Sequence, residues 1–336
     1  QRAFRKAIER EALPAEALLR LAELLDQQRV ADGDSAAEAL EALERAVEIN
    51  DHFPRYAARL GIYLVELGFW ARAAEVLAPM PERQGVAWPE LIALIKANAR
   101  VADDRGQPQP DQEALFEQAK ELGAPAREIN IERARIALYG DEASAKRAIE
   151  ILSPLVDADD NEIEGRILLA RAMVKQFDRE EAVRMLRRGI QSAERDAQLF
   201  LEWASIESRS GTKRSASLRA RAAWKDMLEE NQPPHVLMDA AEVLSRIYQR
   251  SDNPKYGLAL GRELTERIPY QSEAWRLRAS LQLRAGNTSD ASRSAQRAVD
   301  LDDKNPLAHE VTGHCLLRFG HKDQARAAYK KAVELA

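Results

Sequence analysis

The C-terminal segment from Pro306 to Ala336 has the pattern of apolar and polar positions that is typical of two short amphipathic helices. Its apolar and small residues recur every three or four positions, and Gly320 interrupts the pattern. Glycine adopts a left-handed turn without strain, so Gly320 marks the junction between the two helices. Gly313 and Ala325 are small where the helices must touch. We therefore predict an antiparallel helical hairpin in this segment.

The same pattern occurs 34 positions earlier in the chain. The stretch LRAGNTSDASRSAQRAVDL, from Leu283 to Leu301, aligns with LRFGHKDQARAAYKKAVEL, from Leu317 to Leu335. The identical pairs are Leu283/Leu317, Arg284/Arg318, Gly286/Gly320, Ala291/Ala325, Ala298/Ala332, Val299/Val333 and Leu301/Leu335. Self-similarity at a fixed period indicates an array of repeated structural units.

Weaker copies of this unit extend over the rest of the chain. They begin near residues 54, 126, 163, 197 and 272, and each carries small and apolar residues at equivalent positions. Three positions depart from the pattern: Phe177 replaces the turn glycine, Arg133 replaces a small residue and Arg278 replaces a leucine. With repeat lengths of roughly 34 to 40 residues, we count about nine helix pairs.

Composition agrees with an all-α fold. The 336 residues are rich in Ala, Leu, Glu and Arg, which favour helices, and contain only 15 Gly and 14 Pro. The lone cysteine, Cys315, cannot form an internal disulfide. No apolar run approaches the roughly 20 residues of a membrane-spanning helix. No targeting signal opens the sequence, so bacterial periplasm and cytoplasm both remain open as compartments.

The repeated unit resembles the tetratricopeptide repeat, whose first helix (helix A) carries Leu and Gly/Ala at positions 7 and 8 and whose second helix (helix B) carries Ala at 20 and 27. The resemblance implies a right-handed superhelical solenoid of stacked antiparallel helix pairs. Residues 1–13 are expected to be a helix B without its partner, and residues 14–336 a continuous solenoid. We expect insertions in A/B turns near 28–37, 103–112 and 248–256. Because the chain opens and ends within repeats, without an initiator Met or polar caps, we expect a piece of a longer array.

The charge distribution argues against a nucleic-acid-binding protein. The formal net charge is −5, with 15 Lys+Arg against 22 Asp+Glu in residues 1–122 and 35 against 33 in the remainder. Proteins that bind nucleic acids usually carry a clear basic excess. RNA binding by a related helical-hairpin repeat is therefore the least favoured function.

No motif in the sequence predicts catalysis, a cofactor or a metal ion. The stretch HEVTGH resembles the zinc motif HExxH, but His309 and His314 are five positions apart instead of four. At roughly 100° per residue their side chains diverge by about 140° around the helix, too far to share one tetrahedral ion. We predict a noncatalytic protein without catalytic, cofactor-binding or metal-ligating residues.

A row of basic residues is the sharper functional signal. Position 13, in the last turn of helix A, is basic in five successive repeats, and three further residues at positions 5 and 9 extend the row. In the resembled family these positions line the concave surface and contact ligands. An alternative is structural, because a cation near a helix C-terminus is stabilised by about 0.3–1 kcal/mol. The basic stripe comprises Arg171, Lys175, Arg209, Arg246, Arg276, Arg284, His314 and Arg318.

Two tryptophans are candidate contact residues. Trp88 and Trp224 fit no core position of the repeat as well as Trp203 and Trp275 do. Exposed aromatic residues favour protein interfaces, although ordinary packing inside the array is the alternative. A two-cation carboxylate clamp, known in chaperone-binding relatives, is not predicted, because only Arg127 and Asn130 approach its pattern.

The resemblance implies a noncatalytic scaffold that binds another protein, of unknown identity, on the surface of the solenoid. The alternative is a periplasmic module of a bacterial exopolysaccharide secretion system, which would contact an anionic polysaccharide or recruit its modifying enzyme. The long degenerate array resembles the periplasmic parts of bacterial exopolysaccharide secretion proteins, and the excess of Arg over Lys is typical of a high-GC bacterium.

Overall fold

The computed structural model describes residues 14–28, 33–50, 52–192, 196–209, 212–250 and 254–335. Within these ranges the regular structure is eighteen α-helices and one short 3₁₀ helix at Met80–Glu82, so the predicted all-α class is confirmed. The α-helices are α1 Pro14–Gln28, α2 Gly33–Ile49, α3 Pro54–Leu67, α4 Trp70–Leu77, α5 Trp88–Asp104, α6 Glu113–Glu121, α7 Ala126–Tyr139, α8 Glu142–Ala158, α9 Ile163–Lys175, α10 Arg179–Ser192, α11 Ala197–Ser208, α12 Lys213–Glu229, α13 Pro234–Arg250, α14 Pro254–Arg267, α15 Ser272–Arg284, α16 Thr288–Leu301, α17 Pro306–Arg318 and α18 Lys322–Leu335.

The helices form two compact units. Among the described residues, 14–28 and 35–206 belong to the first unit, and 207–335 belong to the second. Odd-numbered helices are the A helices of successive pairs, and even-numbered helices are the B helices. The described part of the chain holds eighteen α-helices, as many as the nine pairs predicted from the repeat require.

In the first unit, from α3 to α10, each helix packs against the next one along the chain. The A helices α3, α5, α7 and α9 also contact one another in order, as expected for stacked hairpins. A small residue sets the close approach within the first of these pairs. A Cβ atom added to Gly61 would lie 2.4 Å from Cγ of Leu77, a buried residue of α4.

The second unit repeats this arrangement from α12 to α18, where consecutive helices pack and the A helices α13, α15 and α17 contact in order. In the last hairpin, a Cβ atom added to Gly313 would lie 2.6 Å from the ring of Tyr329. In α16, the small side chains of Ala291, Ala295 and Ala298 are completely buried. The small residues that defined the repeat in the sequence therefore lie where two helices touch.

The turns between paired helices show why glycine recurs in them. Gly286 and Gly320 have φ angles of 82° and 83°, in the left-handed region that glycine adopts without strain. Phe177, which replaces glycine at the equivalent turn, adopts the same conformation with φ of 63°. Its side chain is 79% exposed. The array therefore keeps the turn geometry even where the sequence lacks the glycine.

The two arginine departures are accommodated by partners on the same helix or on a neighbouring one. The Arg133 guanidinium lies 5.0 Å from the centre of the Phe116 ring. Arg278 lies 5.2 Å from the centre of the Trp275 ring and donates a 2.7 Å hydrogen bond to Thr265. Long side chains of this kind pack their stems against apolar groups while their charged ends reach polar partners.

Two of the three expected insertions differ from the structure. Gly33 already begins α2, so residues 33–37 are helical, in agreement with their alanine-rich sequence. Similarly, α13 continues to Arg250 and α14 begins at Pro254, because Tyr248 is buried and packs 5.6 Å from Tyr256. Residues 29–32 and 251–253 lie outside the described residues, as does the helix expected at 1–13.

The connection between α5 and α6 is a loop of residues 105–112. Side-chain amides of the loop attach it to the C-terminal half of α5. Gln109 donates to the carbonyl oxygen of Ala99 at 3.2 Å, and Gln112 donates to that of Ile95 at 3.3 Å. Gly106, with φ of 61°, makes the first bend.

Candidate functional site

The structure places the basic stripe in one register. Helices α9, α11, α13, α15 and α17 begin at residues 163, 197, 234, 272 and 306, so their thirteenth positions coincide with the predicted cations. All five of these residues are exposed to solvent: Lys175, Arg209, Arg246, Arg284 and Arg318. The residues of the stripe nevertheless differ in whether they have partners within the protein.

Lys175 has a structural role at the end of the preceding A helix. Its Nζ donates hydrogen bonds to the carbonyl oxygens of Leu138 and Gly140, the second at 3.0 Å. These carbonyls lie at the C-terminus of α7, where the helix itself provides no donor for them. The structural alternative considered for the stripe therefore applies to this residue.

Arg171 and Arg276 are held in ion pairs with acids of neighbouring A helices. Arg171 lies 2.9 Å from Glu202 of α11, which is 8% exposed. Arg276 pairs with Glu242 of α13 and with Glu273 of its own helix, the latter at 2.7 Å. Burial alone would lower the pKa of Arg276, but these two carboxylates raise it above the ordinary value. Both arginines are already neutralised within the protein.

The other four cations at position 13 behave differently. Within the described ranges, Arg209, Arg246, Arg284 and Arg318 have no carboxylate at ion-pair distance and no hydrogen-bonded side-chain partner. They follow the ends of A helices or lie in the last turns of those helices, α11, α13, α15 and α17. No described carboxylate neutralises this group, so its charges can meet an external partner.

The structure also brings Arg250, a residue that the sequence did not indicate, near two members of this group. Arg250 is one turn beyond Arg246 on α13, and its Nη1 donates to Oγ of Ser208 at 3.2 Å. Its pKa is lowered by burial and further lowered by the nearby charges of Arg209 and Arg246. We call Arg209, Arg246 and Arg250 the arginine triad.

The remaining member of the stripe is His314, at position 9 of α17. Its ring packs edge-on against Tyr329 of α18, with 5.4 Å between ring centres. His309 instead contacts the carbonyl oxygen of Asp303 at 2.8 Å through Nε2. The two histidines of the HEVTGH segment therefore have separate partners.

The prediction of an exposed contact at Trp224 is wrong. Trp224 is completely buried, and its indole Nε1 donates to Glu263 of α14 at 2.8 Å. The long helix α12 brings it there, and Arg221 on the same helix forms two 2.6 Å hydrogen bonds with that carboxylate. Trp88 is half-buried at the first residue of α5.

Arg100 is a second residue that the sequence reading missed. It occupies position 13 of α5, whose start at Trp88 and Pro89 could have been recognised from the preference for Pro in the first turn. Its Nε lies 3.1 Å from Asp104, and its guanidinium lies 5.7 Å from the centre of the Trp70 ring. Like Lys175, it has partners within the protein.

Among the described residues, no group of three His, Cys, Asp or Glu side chains is arranged to hold a metal ion. Cys315 is buried, and burial raises the pKa of its thiol to about 11, so the thiol stays protonated at neutral pH. No helix in the described ranges has the length and apolar character needed to cross a bilayer.

Comparison with known families identifies residues 312–336 as a tetratricopeptide repeat. This match confirms the resemblance that the sequence pattern predicted. The match covers the end of α17 and all described residues of α18. No curated protein sequence matches the chain.

Several solved structures are similar to parts of the chain. MamA from Desulfovibrio magneticus RS-1 is 18% identical, over 53% of this chain and 95% of that chain, with a TM-score of 0.42. YrrB, described as a TPR protein with an unusual peptide-binding site, is 13% identical over 56% and 93%, with a TM-score of 0.40. An IFIT1 monomeric mutant with Gppp-AAAA is 12% identical over 88% and 73%, with a TM-score of 0.45.

Proposed function

Because the chain contains a tetratricopeptide repeat and its described part is built from helix pairs, we propose that it is a noncatalytic scaffold that binds a partner protein. The observation that carries this proposal is the set of exposed cations at position 13 of successive A helices that have no ion-pair partner among the described residues. They are Arg209, Arg246, Arg284 and Arg318.

The packing of the A helices supports binding to an extended partner. Helices α13, α15 and α17 contact each other in order, and packed helix axes are about 8–10 Å apart. Side chains at the same position of successive helices therefore form a row, and the distance between neighbours in the row is comparable to the distance between helix axes. Such a row can contact an extended partner chain that lies across several repeats.

The alternative function, a module of an exopolysaccharide export system, rests on the same cations. A guanidinium group that binds the carboxylate of a protein side chain can also bind the carboxylate of an acidic sugar. The two functions differ in the macromolecule that is recovered with the chain, so one experiment separates them.

The experiment is an affinity pull-down from lysate of the source organism with the unaltered chain and two variants. The test variant is Arg284→Glu/Arg318→Glu. The matched control is Arg293→Glu/Arg326→Glu, which changes the same charge in the same repeats but on the B helices, where both residues are about 80% exposed. Each recovered protein is then purified and titrated against all three chains.

We expect a protein that binds the unaltered chain and the control directly and is lost with the test variant. If the purified protein bound all three chains with the same Kd, the basic stripe would not be its binding surface. Absence of any directly binding protein, together with retention of an acidic polysaccharide, would contradict the scaffold and favour the export module.

A further inference from the structure

The arginine triad brings three guanidinium groups together at the C-terminal ends of α11 and α13. Arg246 and Arg250 are four residues apart on α13 and therefore lie on one face of that helix. The hydrogen bond from Arg250 to Ser208 holds its guanidinium beside the residue that precedes Arg209. The cluster is thus formed by Arg209, which follows the end of α11, and by two arginines of α13, and all three residues belong to the second unit.

The triad carries more positive charge than the helix ends require. A single cation in the last turn is favoured by the helix dipole, as Lys175 illustrates at the end of α7. A second arginine one turn away on α13 repels the first, and so does a third arginine at the end of the preceding A helix. Within the described part of the chain no carboxylate lies within 4.0 Å of these three groups, although Arg171 and Arg276 of the same stripe are paired.

Two further unpaired cations continue from the triad along the second unit. Arg284 of α15 and Arg318 of α17 occupy the same position as Arg246 in the next two A helices. Neighbouring helices are about 8–10 Å apart. A chain in the polyproline II conformation has three residues per turn and advances about 3.1 Å per residue, so carboxylates on every third residue lie on one face and about 9 Å apart. Such carboxylates match the step of this row.

We propose that the arginine triad, continued by Arg284 and Arg318, binds the carboxylates of an extended acidic segment of a partner protein. The proposal rests on the function proposed above and specifies the chemistry of its partner. Guanidinium groups bind carboxylates through paired, charge-assisted hydrogen bonds, which are stronger than hydrogen bonds between neutral groups.

Two observations favour a polypeptide over an acidic polysaccharide or a nucleic acid. At the end of the row, Leu317 and Phe319 flank Arg318 and are 47% and 45% exposed. A polypeptide can offer both carboxylates and apolar side chains to this surface, whereas a uronic-acid polymer offers only carboxylates. In addition, residues 207–336 hold 22 Lys+Arg against 17 Asp+Glu, a modest excess for a nucleic-acid-binding surface.

The test uses a fluorescent peptide with the repeated sequence Glu-Pro-Pro, which places an acid at every third position and favours the polyproline II conformation, in which these acids share one face. Its binding to the chain is followed by fluorescence anisotropy at low salt. The test variant is Arg209→Gln/Arg246→Gln/Arg250→Gln. The control is Arg293→Gln/Arg297→Gln/Arg326→Gln, which copies the arrangement as an exposed i,i+4 pair on α16 and a third arginine on α18.

We expect the triad variant to raise the Kd of the peptide about 30-fold, or about threefold for each arginine, and the control to change it less than twofold. Circular dichroism melting of all three chains checks that they fold alike. A peptide with Gln in place of Glu should not bind. Equal weakening in both variants, or binding of an oligogalacturonate or single-stranded RNA in place of the Glu peptide, would overturn the proposal.

Failure of this inference can be distinguished from failure of the scaffold. The same two triple variants are titrated with the protein recovered by the pull-down. If that protein binds the triad variant as tightly as the unaltered chain, the acidic-segment inference is overturned while the scaffold stands. If no protein binds the unaltered chain, the proposed scaffold function is contradicted, regardless of the result of the peptide titration.

Discussion

Phe177 shows, at the scale of a residue, how far the sequence pattern determines the structure. The repeat predicted a turn at this position, but it did not predict that an aromatic residue would adopt the left-handed conformation. The turn is enforced by its neighbours, because Lys175 bonds carbonyls of the α7 end and Gln176 donates to the carbonyl oxygen of Glu142. Long-range contacts of this kind are not visible in the sequence of one repeat.

Replacement of Phe177 by glycine should stabilise the protein. The left-handed conformation costs a non-glycine residue about 1–2 kcal/mol, whereas the greater freedom of glycine in the unfolded chain costs about 0.5–1 kcal/mol. The side chain is 79% exposed, so little burial is lost. We expect Phe177→Gly to raise the free energy of unfolding in urea by about 0.5–1 kcal/mol. Equal stabilisation by Phe177→Ala, which keeps the strain, would contradict this explanation.

At the scale of helices, the B helices α12 and α14 are joined by a polar contact between distant parts of the sequence. Glu263 of α14 accepts hydrogen bonds from both Arg221 and Trp224 of α12. The partner of Trp224 is 39 residues away in the sequence. Its burial therefore could not be predicted from the spacing of apolar residues in α12.

Loss of the Glu263 charge should weaken this contact. We expect Glu263→Gln to lower the free energy of unfolding by about 1–2 kcal/mol, since it removes a charged acceptor from a partly buried site. Urea denaturation at neutral pH measures the effect. Glu266→Gln is the control on the same helix, because Glu266 is 67% exposed and its ion pair with Arg262 is long, at 3.9 Å. A similar loss in the control would contradict the role assigned to Glu263.

The same contact predicts a pH dependence. Burial alone would raise the pKa of Glu263, but the hydrogen bonds from Arg221 and Trp224 outweigh burial and lower the pKa. A carboxyl group with a lowered folded-state pKa contributes stability above its unfolded pKa of about 4.3, and this contribution is lost as the pH falls through the folded-state pKa. The stability difference between the protein and Glu263→Gln should therefore shrink below about pH 4. If this stability difference grew as the pH fell, the inference of a lowered pKa for Glu263 would be contradicted.

At the scale of the whole molecule, basic residues outnumber acidic ones only in the C-terminal part of the chain. Residues 1–206 hold 28 Lys+Arg against 38 Asp+Glu, whereas residues 207–336 hold 22 against 17. The fold class and the register of position 13 could be predicted, because small residues and turn glycines recur with the repeat. The sequence could not predict which cations lack ion pairs, because Glu202 and Glu242, which neutralise Arg171 and Arg276, belong to neighbouring repeats.

The central claim is that the unpaired cations of the second unit bind a partner protein. The most direct measurement is the Kd of the purified partner for the unaltered chain, for Arg284→Glu/Arg318→Glu and for Arg293→Glu/Arg326→Glu, by isothermal titration calorimetry. We predict a Kd at least tenfold higher for the first variant and an unchanged Kd for the second. An unchanged Kd for both variants, with intact folding, would contradict the claim.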